Sequence, residues 1–351
     1  MVRKIALVSV LGMMLLVIAT AWGRTNNSNT ASVLGGTDVG GKISYARSGA
    51  LWLYRNGEAK QLTAGPANAQ DKRDTYPSFS PDGEQLVYTR IDEGFSDLYK
   101  LDINDPGNPV ALTDYRPPVE VGQVEIPGVS EGYNTLALWA NWPAWSPTGD
   151  EIAFTSDIGT EYPNLRVVSP DHEPGTSTSV LARAPSIDWS KQTVEHPSWS
   201  PSGTKVVVTT YLTEGSIGQI WVYNITNDTW SALTNSKEGA YDPAWSPDGQ
   251  WIAFAMREGG KTNIYVVSSD TTTWTDEYPT PTQVTNDGAS RSPAWSPDST
   301  KVAYLGLQST SFDIYVSAFD VDANGIPALD TPQRISENAN IDAPAGLSWG
   351  R

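Results

Sequence analysis

Residues 42–351 predict an all-β chain folded as a six-bladed β-propeller, and three observations carry that expectation. One phrase recurs five times in register: YPSFSPDGEQLVYT from Tyr76, WPAWSPTGDEIAFTS from Trp142, HPSWSPSGTKVVVTT from His196, DPAWSPDGQWIAFAM from Asp242 and SPAWSPDSTKVAYLG from Ser292. A second β-rich phrase follows, as in DLYKLD (97–102), QIWVYN (219–224), NIYVVSS (263–269) and DIYVSAF (313–319), and most units close on a short strand ending at Thr113, Thr234, Thr285 or Ser336. The exported part has no helical period, and its 14 Trp and 15 Tyr against 6 Phe, with 30 Gly and 25 Pro, suit short strands between tight turns. Units that cannot bury their apolar faces alone must stack on their neighbours.

The elements follow in chain order. In residues 1–24, Arg3 and Lys4 precede an uncharged stretch from 5 to 23, which ends at Arg24. This is the pattern of a signal peptide or transmembrane anchor: the stretch is long enough to span the bilayer, while Ala19-Thr20-Ala21 offers a small-x-small cleavage signal. Residues 25–41, small and polar, are expected to form a flexible tether. KISYAR (42–47), ALWLYR (50–55) and AKQLT (59–63) supply three strands of a blade, and the C-terminal DAPAGLSWGR (342–351) supplies the missing first one. Joining them makes the sixth blade and leaves few exposed edges. The aligned aromatics Phe79, Trp145, Trp199, Trp245, Trp295 and Trp349 then mark six blades with loops of variable length. Within each Ser-Pro-Asp-Gly turn, Pro sets φ, Asp bonds its own backbone and Gly takes the left-handed conformation.

This repeat resembles the TolB-type, WD40-like six-bladed β-propeller family, over residues 42–351. The likeness specifies fold more than function, since the scaffold serves periplasmic protein binders, peptidase gating domains, sugar lyases and cell-surface adaptors. TolB proper carries an α/β domain ahead of its propeller; here only the tether precedes blade one, so a Tol-Pal role is not expected. The resemblance implies that residues just before each repeat's first strand ring one mouth of the central channel: Thr75 and Tyr76, Asn141 and Trp142, Glu195 and His196, Tyr241 and Asp242, Arg291 and Ser292, Asp342 and Ala343. Aromatics, acids, one His and one Arg converging on a concave funnel suit a ligand or a partner's inserted loop, whereas a merely wet channel would also be polar.

Two connections stand out. Residues 114–141 exceed an ordinary loop and carry Tyr133, Leu136, Leu138 and Trp139, which suit an interaction loop or packing against their own blade. Asp320, Asp322 and Asn324 followed by Gly325 match the first half of an EF-hand-type calcium loop, but Thr331 stands where the bidentate Glu belongs, with Asp330 as an imperfect substitute.

Composition excludes several classes. The absence of Cys removes disulfides, thiolate metal sites and cysteine nucleophiles. The net charge of -17, or -20 without residues 1–24, argues against nucleic-acid binding. Gly346-Leu347-Ser348-Trp349-Gly350 spells a nucleophile elbow but lies in register with an ordinary repeat and leaves no room for a downstream acid and His. His172 and His196 are too few for a His-rich metal centre. The expectation is therefore an extracytoplasmic, non-catalytic protein-interaction module, membrane-anchored or secreted, with a protein partner in the cell envelope and no cofactor unless the calcium loop is real. The alternative is a glycan- or peptide-acting hydrolase or lyase using carboxylates such as Glu195 with Asp242 or Asp342, or a binder of small ligands or glycans.

Overall fold

The computed structural model describes residues 32–33, 38–67, 72–92, 94–115, 139–158, 163–182, 193–211, 217–270, 278–337 and 339–351. Residues 1–24, read from sequence as signal or anchor, lie outside them; among the described residues no helix is long and apolar enough to cross a membrane. Six antiparallel sheets of four or five strands succeed one another as blades. Blades two to six begin with the strands Arg73–Phe79, Ala140–Trp145, Thr193–Trp199, Ala240–Trp245 and Ser290–Trp295. Blade one takes its innermost strand, Leu347–Gly350, from the other end of the sequence, pairing Ile43 with Trp349 and Lys42 with Gly350.

The second strand of each blade explains the stacking. In blade four, Lys205–Tyr211, Val206 and Val208 pack with Trp199, Ala153 and Leu165 toward blade three, while Val207 packs with Trp245, Ile252 and Phe254 toward blade five. Alternate side chains thus leave the strand in opposite directions, and both faces are buried. Each of the six seams holds one such apolar cluster.

The recurring polar residues bond the backbone. In every Ser-Pro turn the serine hydroxyl accepts the amide five residues on, as from Gln85 to Ser80 and from Trp251 to Ser246, both at 2.9 Å. The Thr or Ser that ends a unit accepts an amide in the first half of the third strand: Leu51 to Thr63, Leu98 to Thr113, Ile220 to Thr234, Ile264 to Thr285, Ile314 to Ser336. Between blades, the amides of Phe79, Trp145 and Trp245 donate to Ser348, Ser78 and Ser198, and the indoles of Trp199 and Trp295 donate to the carbonyls of Ala144 and Ala244.

The reading of residues 25–41 as tether throughout needs correction. Ser32–Val33 pairs with Ser336–Glu337, Val39 is buried against Ile335 and Ile341, and the carbonyls of Val39 and Gly40 accept from Lys301 and Trp349. Residues 32–33 thus pair with a strand of blade six, and Val39 lies on the seam between blades six and one.

The Ser-Pro turns form a continuous ring. A side chain at Gly149, Gly203 or Gly249 would meet Pro81, Pro147 or Pro201 of the preceding turn, and one at Gly83 would press on the Arg351 backbone. Blade six has Ser299 (φ 61°) in place of the glycine, and its hydroxyl accepts the amide of Asp248 at 2.9 Å. Gly83 (φ 72°) and Gly175 (φ 81°) share the left-handed backbone, but only Gly83 is crowded, with Arg351 O 2.9 Å from where a Cβ would sit. Gly175→Ala should therefore cost about 1 kcal/mol and Gly83→Ala about 1–3 kcal/mol more, measured by urea unfolding; equal losses would show that the turn ring tolerates expansion.

Candidate functional site

The first strands of blades two to six each carry a β-bulge. At the bulge Tyr76, Trp142, His196, Asp242 and Ser292 adopt φ of 50–54°, a left-handed conformation that costs a non-glycine residue about 1 kcal/mol or more. Bulges re-aim side chains, and these five turn toward the channel axis. The rings of Tyr76 and His196, two blades apart, lie 6.2 Å from each other, with Trp142 5.4 Å from Tyr76 and 5.0 Å from His196.

The polar half of this cluster is tightly bonded. Asp242 Oδ2 accepts from Ser292 Oγ (2.9 Å) and from the Arg291 guanidinium (3.2 Å), and its Oδ1 lies 3.6 Å from His196 Nε2. Burial alone would raise the Asp242 carboxyl, but Arg291, His196 and Ser292 outweigh it and hold the pKa low. His196 is pushed down by burial and by Arg291, against the pull of Asp242 and of the Pro344 carbonyl. Its Nδ1 has no hydrogen-bond partner and faces Glu195 Oε2 at 3.9 Å. Glu195 is pushed up to about 8 by burial and by the negative charge of Asp242. Near pH 7 the cluster thus holds a neutral glutamic acid, a neutral imidazole and an Asp242–Arg291 ion pair. Ser292 donates to the Asp242 carboxylate and not to the His196 imidazole.

These side chains line one end of a cavity of about 540 Å³ that runs along the first strands to the Ser-Pro turns and is otherwise lined by prolines, tryptophans and serines. Pro81, Pro147, Pro201, Pro247 and Pro297 form its outer wall, a feature visible in the repeat but not assigned a role from sequence.

Several expected mouth residues sit elsewhere. Asp342 and Ala343 are not the sixth pair: Ala343–Ala345 forms a 3-10 turn, and Gly346 (φ 70°) occupies the left-handed position before Leu347–Gly350. The Asp342 carboxylate is buried against blade one, accepting from the Gly49 amide at 2.8 Å, and burial raises its pKa. Ala343 contributes only its carbonyl, which accepts from Ser292 Oγ at 3.3 Å. The shift follows from Trp349, whose indole donates to Gly40 and fixes the strand register. Tyr241 covers the space above Gly218 and Gly239 and donates to the Glu238 carbonyl, so it lines its own loop and not the cavity. Arg291 and Glu195 flank the cluster without lining the cavity, and so do not form its wall.

Of the proposed interaction loop, Tyr133, Leu136 and Leu138 lie outside the described residues; Trp139 is half-buried, its amide donating to Asp157 at 2.8 Å. Asp320 and Asp322 bond backbone amides of their own hairpin, Asp322 Oδ1 accepting from both Asn324 and Ile326. Among the described residues no group of three or more His, Cys, Asp or Glu is placed to hold a metal ion.

Residues 142–290 match the family model described as the TolB beta propeller domain. A protein named "Uncharacterized peptidase YuxL", from Bacillus subtilis, is 26% identical over 215 residues, 61% of this chain and 26% of its own length. The Tol-Pal system protein TolB of Anaeromyxobacter dehalogenans is 32% identical over 74 residues, 21% of this chain and 16% of its own. The matched stretches thus span about a quarter or less of these curated relatives. The crystal structure of TolB from Acinetobacter baumannii superposes with a TM-score of 0.61 at 16% identity, covering 90% of this chain and 67% of that one, a likeness of fold.

The protonation states give a signed prediction. A Glu195 whose folded pKa lies near 8 against an ordinary 4.5 favours the fold less as pH rises, because the unfolded chain ionises first; the loss develops between about 4.5 and 8. Glu195→Gln should therefore raise the melting temperature at pH 8 and leave it nearly unchanged at pH 4, as read by thermal unfolding across that range. Equal effects at both pH values would mean that Glu195 is ionised at neutral pH.

Proposed function

We propose that this chain, whose residues 142–290 match the TolB beta propeller domain model, is a non-catalytic protein-interaction module. It works outside the cytoplasm, held by residues 1–24 or released after their removal, free of any cofactor, and serves as an accessory subunit of an envelope complex. The observation that carries this reading is the cavity: about 540 Å³, built by all six blades and walled by prolines and tryptophans. A partner's extended segment entering it would meet a preformed surface with little ordering cost on the propeller side. Relatives named for the Tol-Pal system support a protein partner.

Gly346 offers the test. It holds the sixth left-handed position, and a Cβ there would meet nothing within 4 Å, whereas its five counterparts carry side chains at similar φ. Gly346→Tyr should fill the end of the cavity beside the Tyr76, Trp142 and His196 cluster and weaken a partner that co-purifies stoichiometrically with the full chain by tenfold or more. Undiminished partner binding by a folded variant would remove the cavity from the interaction.

One observation favours a second reading. Glu195 and Asp242 are driven to opposite protonation states, the division of labour that an acid and a carboxylate need in glycoside or peptide hydrolysis. Turnover on a panel of glycans and peptides, lost in Glu195→Gln and in Asp242→Asn, would replace the binding module with an enzyme.

The 320–330 hairpin is read as a self-bonded turn. Millimolar calcium should leave the melting temperature of the wild type and of Asp320→Ala unchanged; a calcium-dependent rise that Asp320→Ala abolishes would restore the metal site.

A further inference from the structure

The wall of the cavity is small and uncharged along its middle. Between the aromatic cluster and the Ser-Pro turns, the six first strands present Ser78, Ala144, Ser198, Ala244, Ala294 and Ser348. All but Ala294 are half-buried, whereas the Trp or Phe that follows each is buried, so an occupant would touch these small side chains and the turn prolines. Pro201 and Pro247 are exposed at the turn ring, where the cavity meets solvent. Among the described residues, Asp242 and Arg351 are the only carboxylate and the only cation lining the cavity, and Asp242 is already bound by Arg291 and Ser292.

The three serines each keep an unused donor. Their hydroxyl oxygens accept an amide of the next blade, Ser78 from Trp145, Ser198 from Trp245 and Ser348 from Phe79, but among the described residues none of the three hydrogens finds an acceptor. A hydroxyl has one hydrogen besides its lone pairs, so each remains able to donate to whatever fills the cavity. The occupant that completes this wall is apolar, uncharged and richer in acceptors than in donors. Proline has a carbonyl and no N–H, and in a polyproline II helix that carbonyl has no internal partner. The wall from Tyr76 to Pro81 is about 16 Å long at about 3.3 Å per strand residue, room for about five residues of such a helix at about 3.1 Å each.

On the footing of the interaction-module reading, we propose that the cavity takes a proline-rich segment of a partner protein in the polyproline II conformation. Its carbonyls accept from Ser78, Ser198 and Ser348, and its rings lie against the small side chains and the turn prolines. A segment already stiff in this form loses little freedom on entry. Uncharged segments without proline, and charged segments, are the competing occupants.

Titration calorimetry on the full chain in detergent tests this with four hexapeptides, acetylated and amidated so that their ends are uncharged: hexaproline, alternating Gly and Ser, alternating Pro and Lys, and alternating Pro and Glu. Hexaproline should bind at least tenfold more tightly than each of the others. Combining Ser78→Ala, Ser198→Ala and Ser348→Ala should weaken hexaproline about tenfold. Alanine stands at the same position in blades three, five and six, so the propeller should still fold; if the triple variant loses its cooperative melt, the single variants carry the test at about two- to threefold each. Equal binding of hexaproline and the Gly and Ser peptide, preference for a charged peptide, or undiminished hexaproline binding by folded serine variants would overturn the proposal. Gly346→Tyr separates the two levels. If it displaces the co-purifying partner while hexaproline shows no preference, the cavity reading stands and the proline one fails. If it leaves the partner bound, both fail, whatever hexaproline does.

Discussion

Every blade of this protein depends on the burial of both faces of its second strand. A lone four-stranded sheet with Val206 and Val208 on one side and Val207 on the other would expose an apolar face whichever way it lay. At about 25 cal/mol per Å² of apolar surface, each uncovered face would cost several kcal/mol. Neighbours on both sides remove that cost, and the same condition repeats at each seam. The stretch around Val39 meets it at the seam between blades six and one, where the sequence alone offered no strand.

The polar repeat residues then set how the blades meet. Serine hydroxyls on the first strands accept the next blade's amides, or indoles reach back to the previous blade's carbonyls. Such bonds are worth about 1 kcal/mol each, too little to drive association but enough to fix its register. With the first strands held in place, their bulges project five side chains toward one axis. The cluster they form, with its neutral Glu195 and its Asp242–Arg291 pair, is a product of that register as much as of residue type.

Much of the site was legible before folding. Tyr76, Trp142, His196 and Asp242 stand at one position of a regular repeat, where variation in an otherwise constant phrase marks exposure to something other than the core. Asp342 misled because Asp342-Ala343-Pro344 imitates Asp242-Pro243-Ala244, while the register is governed by Trp349 further on. Tyr241 and Arg291 share a repeat position, yet one covers two glycines of its own blade and the other crosses to Asp242. Side-chain length and the gaps left by neighbours decide such cases, and neither is periodic.

By itself the sequence determined the blade: its strand period, its Ser-Pro turns, the Thr or Ser that closes it, and the number of copies. These are local properties, set by φ preferences and by hydrogen bonds between residues close in the chain. The tertiary structure alone decided which side chains meet on the axis and how burial divides the charge among Glu195, His196 and Asp242. Those outcomes depend on distances between residues 40 to 50 or more positions apart and on the water excluded between them, which no short stretch of sequence encodes.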